Sequence, residues 1–440
     1  MAETDIAVIG AGPTGRGIAG LAAALGLGVT LFERGPMAGE APDPRIAQAA
    51  LRAAANRCAA GTPVPDWPAL RARLAAADAD AAPEATPARF EGMGVAVVRA
   101  AARFAAPDTV AAGGREWRFR RALVATGSTP LVPALEGLET LPYRTADTIH
   151  ALEERPSHLV VLGGEGVGLE MAQAFARLGA RCTLVAPDGL APGADPDLAS
   201  GLARALRRDG VAVVERVAVA RAERRATGLA LRLADGREVE GSHLLLALGR
   251  VPHLTGLDLA AAGVAAAHPA VDSALRVAGN RRVWAAGGAA GRSGTGDLGV
   301  LARTMLFRLP GTPPAPTPLR AIRTEPALVE IGAPGEGDEI LRWPLADTAR
   351  GAAEGVEGLV TLRVDRRGRL TAAGLLAPGG LEMAGMLALA VGRPVSALAG
   401  AALPYPTLSA AIARAALEHR APDLARPSVR WLAGIAKRLP

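Results

Sequence analysis

A strand, glycine turn and helix that occur twice at one spacing, strands ending in glycine turns between and after them, and a proline-rich stretch before a hairpin-forming remainder together predict an α/β chain. The predicted order is two Rossmann-like units followed by a C-terminal α+β domain. At 440 residues the chain is too long for one ordinary domain. Half of its residues are apolar and only 3% are aromatic, so its cores are expected to be built from small aliphatic side chains.

The first unit begins with Ile6-Ala7-Val8-Ile9, turns through Gly10-Ala11-Gly12-Pro13-Thr14-Gly15, and returns with Val29-Thr30-Leu31-Phe32 to end at Glu33, beside Arg34. Gly10 permits the tight turn, Gly12 lets a pyrophosphate approach the backbone, and Gly15 allows the helix to pack close to the strand. The phosphates then meet a helix N-terminus, whose free N–H groups and dipole favour negative charge. Glu33 is placed to accept hydrogen bonds from a ribose.

The second unit begins with Leu159-Val160-Val161-Leu162, turns through Gly163-Gly164-Glu165-Gly166-Val167-Gly168 and ends with Cys182-Thr183-Leu184-Val185-Ala186. Ala186 follows Gly163 by 23 residues, as Glu33 follows Gly10, so the two units are in register. Here Glu165 replaces the middle glycine. Its carboxylate at ~4 Å from a phosphate would cost a few kcal/mol at an effective dielectric of about 20. The loop could shift to use Gly164 and Gly166, which would leave Leu169 at the third glycine. Ala186 stands where a ribose-binding acid is needed, and the sequence places no arginine beside it.

Leu123 to Ser128, with Thr126 and Gly127 in its turn, and Leu244 to Gly249 repeat one buried-strand pattern, and Val283 to Ala286 leads into Gly287-Gly288. Pro310 to Pro318 reads as a linker. Beyond it, Leu359 to Val364 and Leu370 to Leu376 suggest a hairpin, followed by helices near 380–392 and 407–418. The expected domains are a first dinucleotide-binding domain over 1–148 and 269–316, an inserted second one over 149–268, and an α+β domain over 317–440.

The net charge of +6 is modest for this length, and the only lysine is Lys437, so the basic content is almost wholly arginine. Without a basic block or interleaved aromatics, a nucleic-acid partner is not expected, and the pI of 10.3 mostly reflects arginine. Cys58 and Cys182 stand alone, which supports neither a disulfide scaffold nor a metal site; both are expected to be small buried residues. No signal peptide or spanning segment is evident, so the expected location is cytoplasmic. The tail from Arg426 to Arg438 is basic, with Val429, Leu432, Ile435 and Ala436 near helical spacing. It could lie on an acidic membrane surface, but packing on its own domain is the more ordinary expectation.

The layout resembles the pyridine nucleotide-disulfide oxidoreductases, the group of lipoamide dehydrogenase and mercuric reductase, over nearly the whole chain. The resemblance is carried by both glycine turns and by Ala125 to Pro130, Gly168-Leu169-Glu170, Ala247 to Pro252, Ala286-Gly287, Arg323 to Pro326 and Pro404 to Ser409. It implies FAD in the first unit, NAD(P)H in the second and a homodimer through the C-terminal domain. The FAD residues it points to are Gly10, Gly12, Pro13, Thr14, Gly15, Glu33, Arg34, Thr126, Gly127, Gly287 and Gly288.

Several family features are replaced. The family's redox pattern Cys-x-x-x-x-Cys-x-Pro-Ser-Lys, aligned on Pro42, puts Gly35 and Glu40 at the cysteines and Pro44 at the lysine. Cys58 lies 18 residues past position 40, about 27 Å along a helix. The family's base dyad becomes Tyr405 and Ala410, and a tyrosine with pKa near 10 is a poor base. Gly288 stands at the aspartate that holds the flavin's ribityl chain, with Asp297 nearby in sequence but off the motif. Glu170, the family partner of that lysine, has Arg45 as its nearest candidate cation. The degenerate nicotinamide site comprises Gly163, Glu165, Gly168 and Ala186, and a retained scaffold is favoured slightly over NAD(P)H binding. The expected function is an FAD-dependent oxidoreductase without a thiol–disulfide relay, exchanging electrons with a small donor or acceptor, with Arg45, Glu170 and Tyr405 as catalytic candidates. The alternative is a flavin-binding pseudoenzyme, a dimeric scaffold or sensor.

Overall fold

A computed structural model describes residues 1–37, 43–81, 86–264, 269–292, 296–309, 317–419 and 427–437. Glu40, Pro42 and most of the expected linker lie outside the described residues.

Strand β1 (Ala2–Ile9) buries its last four residues, as an apolar run with parallel neighbours on both sides should. Then follow α1 (Pro13–Ala24), β2 (Val29–Phe32), α2 (Pro44–Ala59), α3 (Trp67–Ala81), α4 (Pro87–Gly92), β3 (Ala96–Val98), β4 (Ala102–Ala106), β5 (Thr109–Ala112) and β6 (Arg115–Val124). The first sheet has the order β3-β2-β1-β6-β5-β4. Ile6, Val8, Ile18 and Leu31 pack on one face, and Ala7, Phe32, Phe104 and Phe119 on the other. Helices α2 and α3 pack elsewhere. Their Leu51 and Leu70 join Phe175 and Leu184 of the second unit and Leu328 and Leu376 of the C-terminal sheet in one core.

The short strand β7 (Ser128–Pro130) leads to β8 (Tyr143–Thr145) and β9 (His158–Leu162), then to α5 (Gly166–Arg177), β10 (Arg181–Ala186), α6 (Pro196–Arg208) and β11 (Val211–Glu215). An antiparallel sheet of β12 (Val219–Arg225), β13 (Gly228–Leu233) and β14 (Glu238–Gly241) intervenes before β15 (His243–Leu246) completes the parallel order β11-β10-β9-β15-β8. The second sheet thus takes Tyr143–Thr145, which the sequence places in the first domain, because β8 pairs with β15. Strand β16 (Arg250–Pro252) pairs with β7, and β17 (Val283–Ala285) returns to the first sheet beside β6.

Helix α7 (Asp297–Leu301) precedes the last region, where β18 (Leu319–Ile322), β19 (Ala327–Gly332), β20 (Glu339–Pro344), β21 (Leu359–Val364) and β22 (Leu370–Ala377) form an antiparallel sheet. The expected hairpin is β21–β22, its turn held by Asp365 Oδ1, which accepts from the N–H groups of Arg367 and Arg369 at 2.8 Å each. Helices α8 (Ala349–Glu354), α9 (Gly380–Ala390), α10 (Ser396–Ala399) and α11 (Ala410–Glu418) follow, and α9 to α11 help cover this sheet. The tail helix α12 (Pro427–Ala436) buries no residue, and Trp431 is 67% exposed. The expected packing on its own domain is therefore not found. Among the described residues no helix is long and apolar enough to cross a membrane.

Candidate functional site

The turn after β1 is shaped by glycines that cannot be replaced in place. Gly10 has φ +105°, and a Cβ there would stand 2.4 Å from the Ala125 carbonyl oxygen. A Cβ on Gly15 would meet the Gly10 oxygen at 2.0 Å. Gly12 is the N-cap of α1, Pro13 opens the helix, and no side chain caps it or brings acidic charge into its first turn. The first turn of α1 therefore keeps N–H groups without a side-chain partner, where an anion could be met. Glu33 is half-buried and already engaged. Its Oε2 accepts from Ala11 N–H at 2.7 Å and its Oε1 from Gly35 N–H at 2.8 Å, leaving each oxygen lone-pair capacity for a ribose hydroxyl. Arg34 is exposed beside it.

The other expected FAD residues converge on this turn. A Cβ on Gly287 (φ +59°) would lie 3.4 Å from Thr14 Oγ1. One on Gly288 would lie 2.8 Å from the Gly127 carbonyl carbon and 2.9 Å from Ser128 N. Thr126 turns away, its hydroxyl donating to the His253 carbonyl at 2.6 Å. Asp297, off the motif in sequence, is nevertheless folded back: its buried carboxylate accepts from Gly287 N–H and from Arg292 Nε at 2.9 Å each. It anchors the turn that Gly288 extends. The cradle fits a dinucleotide pyrophosphate on backbone geometry alone.

The second turn repeats the mechanics of the first. Gly163 has φ +131°, its Cβ would meet the Ala247 oxygen at 2.1 Å, and a Cβ on Gly168 would meet the Gly163 oxygen at 2.6 Å. The loop has not shifted to use Gly164 and Gly166: Glu165 is the N-cap of α5, as Gly12 is of α1. The Glu165 side chain is half-exposed and faces Arg320 of β18 at 3.8 Å. Ala186 is fully buried. Its carbonyl accepts from the N–H of Arg216 at 3.0 Å, so an arginine does stand beside it, brought there by the next strand of the sheet.

At the relay position the expected pairing is corrected. Arg45 is bound to Asp43, the N-cap of α2, and does not reach Glu170. Glu170 is 1% exposed at its side chain; its Oε2 accepts from Arg52 at 2.7 Å, and its Oε1 accepts from Arg323 N–H at 2.9 Å. Arg52 lies seven residues beyond Arg45, two turns along the same helix face, a spacing that could have revealed it. Gly35 is half-buried and has its N–H on Glu33. Cys58 is half-buried and Cys182 buried, its thiol pushed up to about 12 by burial. Tyr405 is 84% exposed and Ala410 opens α11. Sequence reasoning also missed Arg250, which joins the crossover ribbon to the second unit by pairing with Asp147 at 2.6 Å and donating to Ser128 Oγ at 2.8 Å.

Two glycine turns of like build, the second with Glu165 at the N-cap where the first has Gly12, one on each of two sheets and followed by a C-terminal antiparallel domain, define a two-dinucleotide α/β oxidoreductase fold. A sequence model described as pyridine nucleotide-disulphide oxidoreductase matches residues 4–305, and the chain belongs to that family, whose cofactor is FAD. It is 34% identical over 321 residues to mercuric reductase of Streptomyces lividans, covering 67% of this chain and 66% of the relative. Against mercuric reductase of Shigella flexneri it is 34% identical over 286 residues, 59% of this chain and 50% of the relative. The chain thus spans two thirds or less of the length of these curated relatives. Among solved structures, LpdA of Mycobacterium tuberculosis superposes with TM-score 0.82 at 25% identity, covering 95% of this chain and all of that one. The Cu(II) complex of the HOCl-induced flavoprotein disulfide reductase RclA of Escherichia coli gives 0.82 at 21% identity, with the same coverage.

Proposed function

We propose that this chain is an FAD-dependent oxidoreductase that passes electrons between its flavin and a small donor or acceptor without a thiol–disulfide relay. The observation that carries this reading is the first cradle: Gly10 and Gly15 are pressed against backbone that leaves no room for a side chain, Gly12 stands at an uncapped helix N-terminus, and Glu33 is fixed beside it. When bound, the flavin would supply the redox chemistry; Gly12 and the first turn of α1 would hold its phosphates, Glu33 its ribose, and Thr14, Gly127, Gly287 and Gly288 the surrounding backbone wall. The sequence has two cysteines, of which Cys182 is buried and Cys58 is 18 residues past the relay position, so a dithiol step has no pair to use. Glu165 in the second cradle supports a donor other than tightly held NAD(P)H. Leu381, Leu389, Tyr405 and Leu417, all exposed on the C-terminal domain, support a homodimer through that domain.

The test is the visible absorption spectrum of the purified protein and its anaerobic titration with NADH and NADPH, followed by quinones, oxygen and small organic acceptors. A bound flavin that cycles with any such pair supports the proposal. A colourless protein that does not take up added FAD overturns it, and stoichiometric FAD with no turnover leaves the pseudoenzyme reading in its place.

A further inference from the structure

We propose that the arginine-lined cavity on the side of β17 facing α7 is a binding site for a small polyphosphate-type anion, separate from both dinucleotide cradles. The cavity is a cleft open to solvent, of ≈ 460 Å³, lined by Arg276, Arg281, Arg308, Trp284 and Thr304, with no carboxylate in its lining. At roughly 30 Å³ of liquid volume per water it would hold about fifteen waters, more than one orthophosphate needs.

Among the described residues, Arg276, Arg281 and Arg308 form no ion pair, in a chain where most other clustered arginines do. The nearest acid in sequence, Asp272, points Oδ1 at the N–H groups of Ala274 and Arg276. Arg276 lies over the Trp284 ring at 5.4 Å, and Trp284 is 1% exposed. Both Arg276 Nε and Trp284 Nε1 are buried donors without an acceptor. A third such donor, Arg121 Nε, belongs to the neighbouring strand β6. Arg121 binds the carbonyls of Met305 and Leu306, and burial followed by the charge of Arg308 lowers its pKa. Arg308 sits at φ +52°, a left-handed backbone uncommon for a non-glycine residue.

Three guanidinium groups, those of Arg276, Arg281 and Arg308, are thus gathered in a lining that provides cation and donor but no carboxylate, and Arg121 lies near enough to Arg308 to feel its charge. Guanidinium forks match phosphate oxygens in charge and geometry, and a multivalent anion relieves the mutual repulsion of the arginines. The site is distinct from the flavin cradle because Arg281 precedes β17, whereas Gly287 follows its other end.

The test is isothermal titration of the FAD-supplemented full chain with sodium pyrophosphate, with orthophosphate and with ATP, at constant ionic strength. The comparison variants are R281A/R308A, whose two side chains are exposed, and R103A, whose arginine pairs with Asp258 elsewhere on the surface. Pyrophosphate is expected to bind wild type and R103A at one-to-one stoichiometry and to bind R281A/R308A at least tenfold more weakly. ATP binding no tighter than pyrophosphate identifies a free polyphosphate as the natural class; tighter binding identifies a nucleotide. Circular dichroism confirms that R281A/R308A is folded. Saturable binding absent at millimolar pyrophosphate, or unchanged in R281A/R308A, overturns the proposal.

Discussion

Arg52 donates to the buried carboxylate of Glu170 at 2.7 Å, joining α2 of the first unit to α5 of the second. Both side chains are withdrawn from water, and Glu170 is further bound by Arg323 N–H at the end of β18. Removing Arg52 leaves the buried Glu170 carboxylate to the Arg323 N–H and to the Arg323 guanidinium at 3.8 Å, so the loss should fall below the about 3–5 kcal/mol of a buried charge left wholly unpaired. Arg52→Met is expected to lower the unfolding free energy taken from a urea titration, read as a lower midpoint at unchanged slope, and R52M/E170M to recover much of the loss. If Arg52→Met unfolds as wild type does, the pair carries no structural weight.

Gly10→Ala should damage the first cradle. A left-handed φ for alanine costs on the order of 1–3 kcal/mol, and the methyl would also press on the Ala125 oxygen. FAD content, read from the visible flavin band, is expected to fall sharply. A Gly26→Ala control has positive φ but open space around it, and should lose stability without losing flavin.

Glu165→Gly removes a carboxylate from the phosphate position of the second cradle while Gly163 and Gly168 stay in place. Because Glu165 is half-exposed its repulsion is screened, and the expected gain in NADH or NADPH affinity is roughly tenfold or more. Fluorescence titration measures it. Equal affinity in both proteins would mean that the barrier to nicotinamide lies elsewhere.

Stability should rise with pH through the slightly acidic range. Burial, as the leading cause, lowers the pKa of His158, His243 and His253 below the ordinary 6.5, with Arg181, Arg144 and Arg34 adding repulsion at each in turn. The unfolded chain then binds more protons than the folded one between the lowered values and 6.5, so stability is complete above 6.5 and is lost as pH falls through that window. Thermal melts from pH 5 to pH 8 should show this slope, and His158→Gln should flatten it. A melting temperature that climbs on acidification would refute the assignment.

Thiol chemistry should divide cleanly. Burial holds the Cys182 thiol at about 12, so a thiol reagent should modify at most Cys58 in the native protein and both residues after denaturation. Two fast native thiols would contradict the packing around β10.

The spacing of the glycines announced both turns and their common register because those positions answer to backbone sterics, which are local. Glu165 and Ala186 were legible for the same reason: each occupies a numbered place in a short motif. Arg52 was hidden because the cation that meets Glu170 is chosen by how α2 lies on α5, a tertiary fact. Arg320 and Arg216 reach the second cradle from other strands, and the fold-back of Asp297 onto Gly287 is invisible to a motif that counts positions. The tail helix itself was legible, but its exposure was not, because amphipathic spacing states that a face will be covered without stating by what.

Gly288 closes against Gly127 and Ser128 so tightly that an aspartate could not be placed there by one substitution. Gly127 and Ser128 occupy the space its side chain would need. A carboxylate at this position would therefore first require changing those neighbours. A redesign that seeks a ribityl-binding carboxylate would do better to enlist Asp297, already buried on the adjoining turn, than to place one at Gly288.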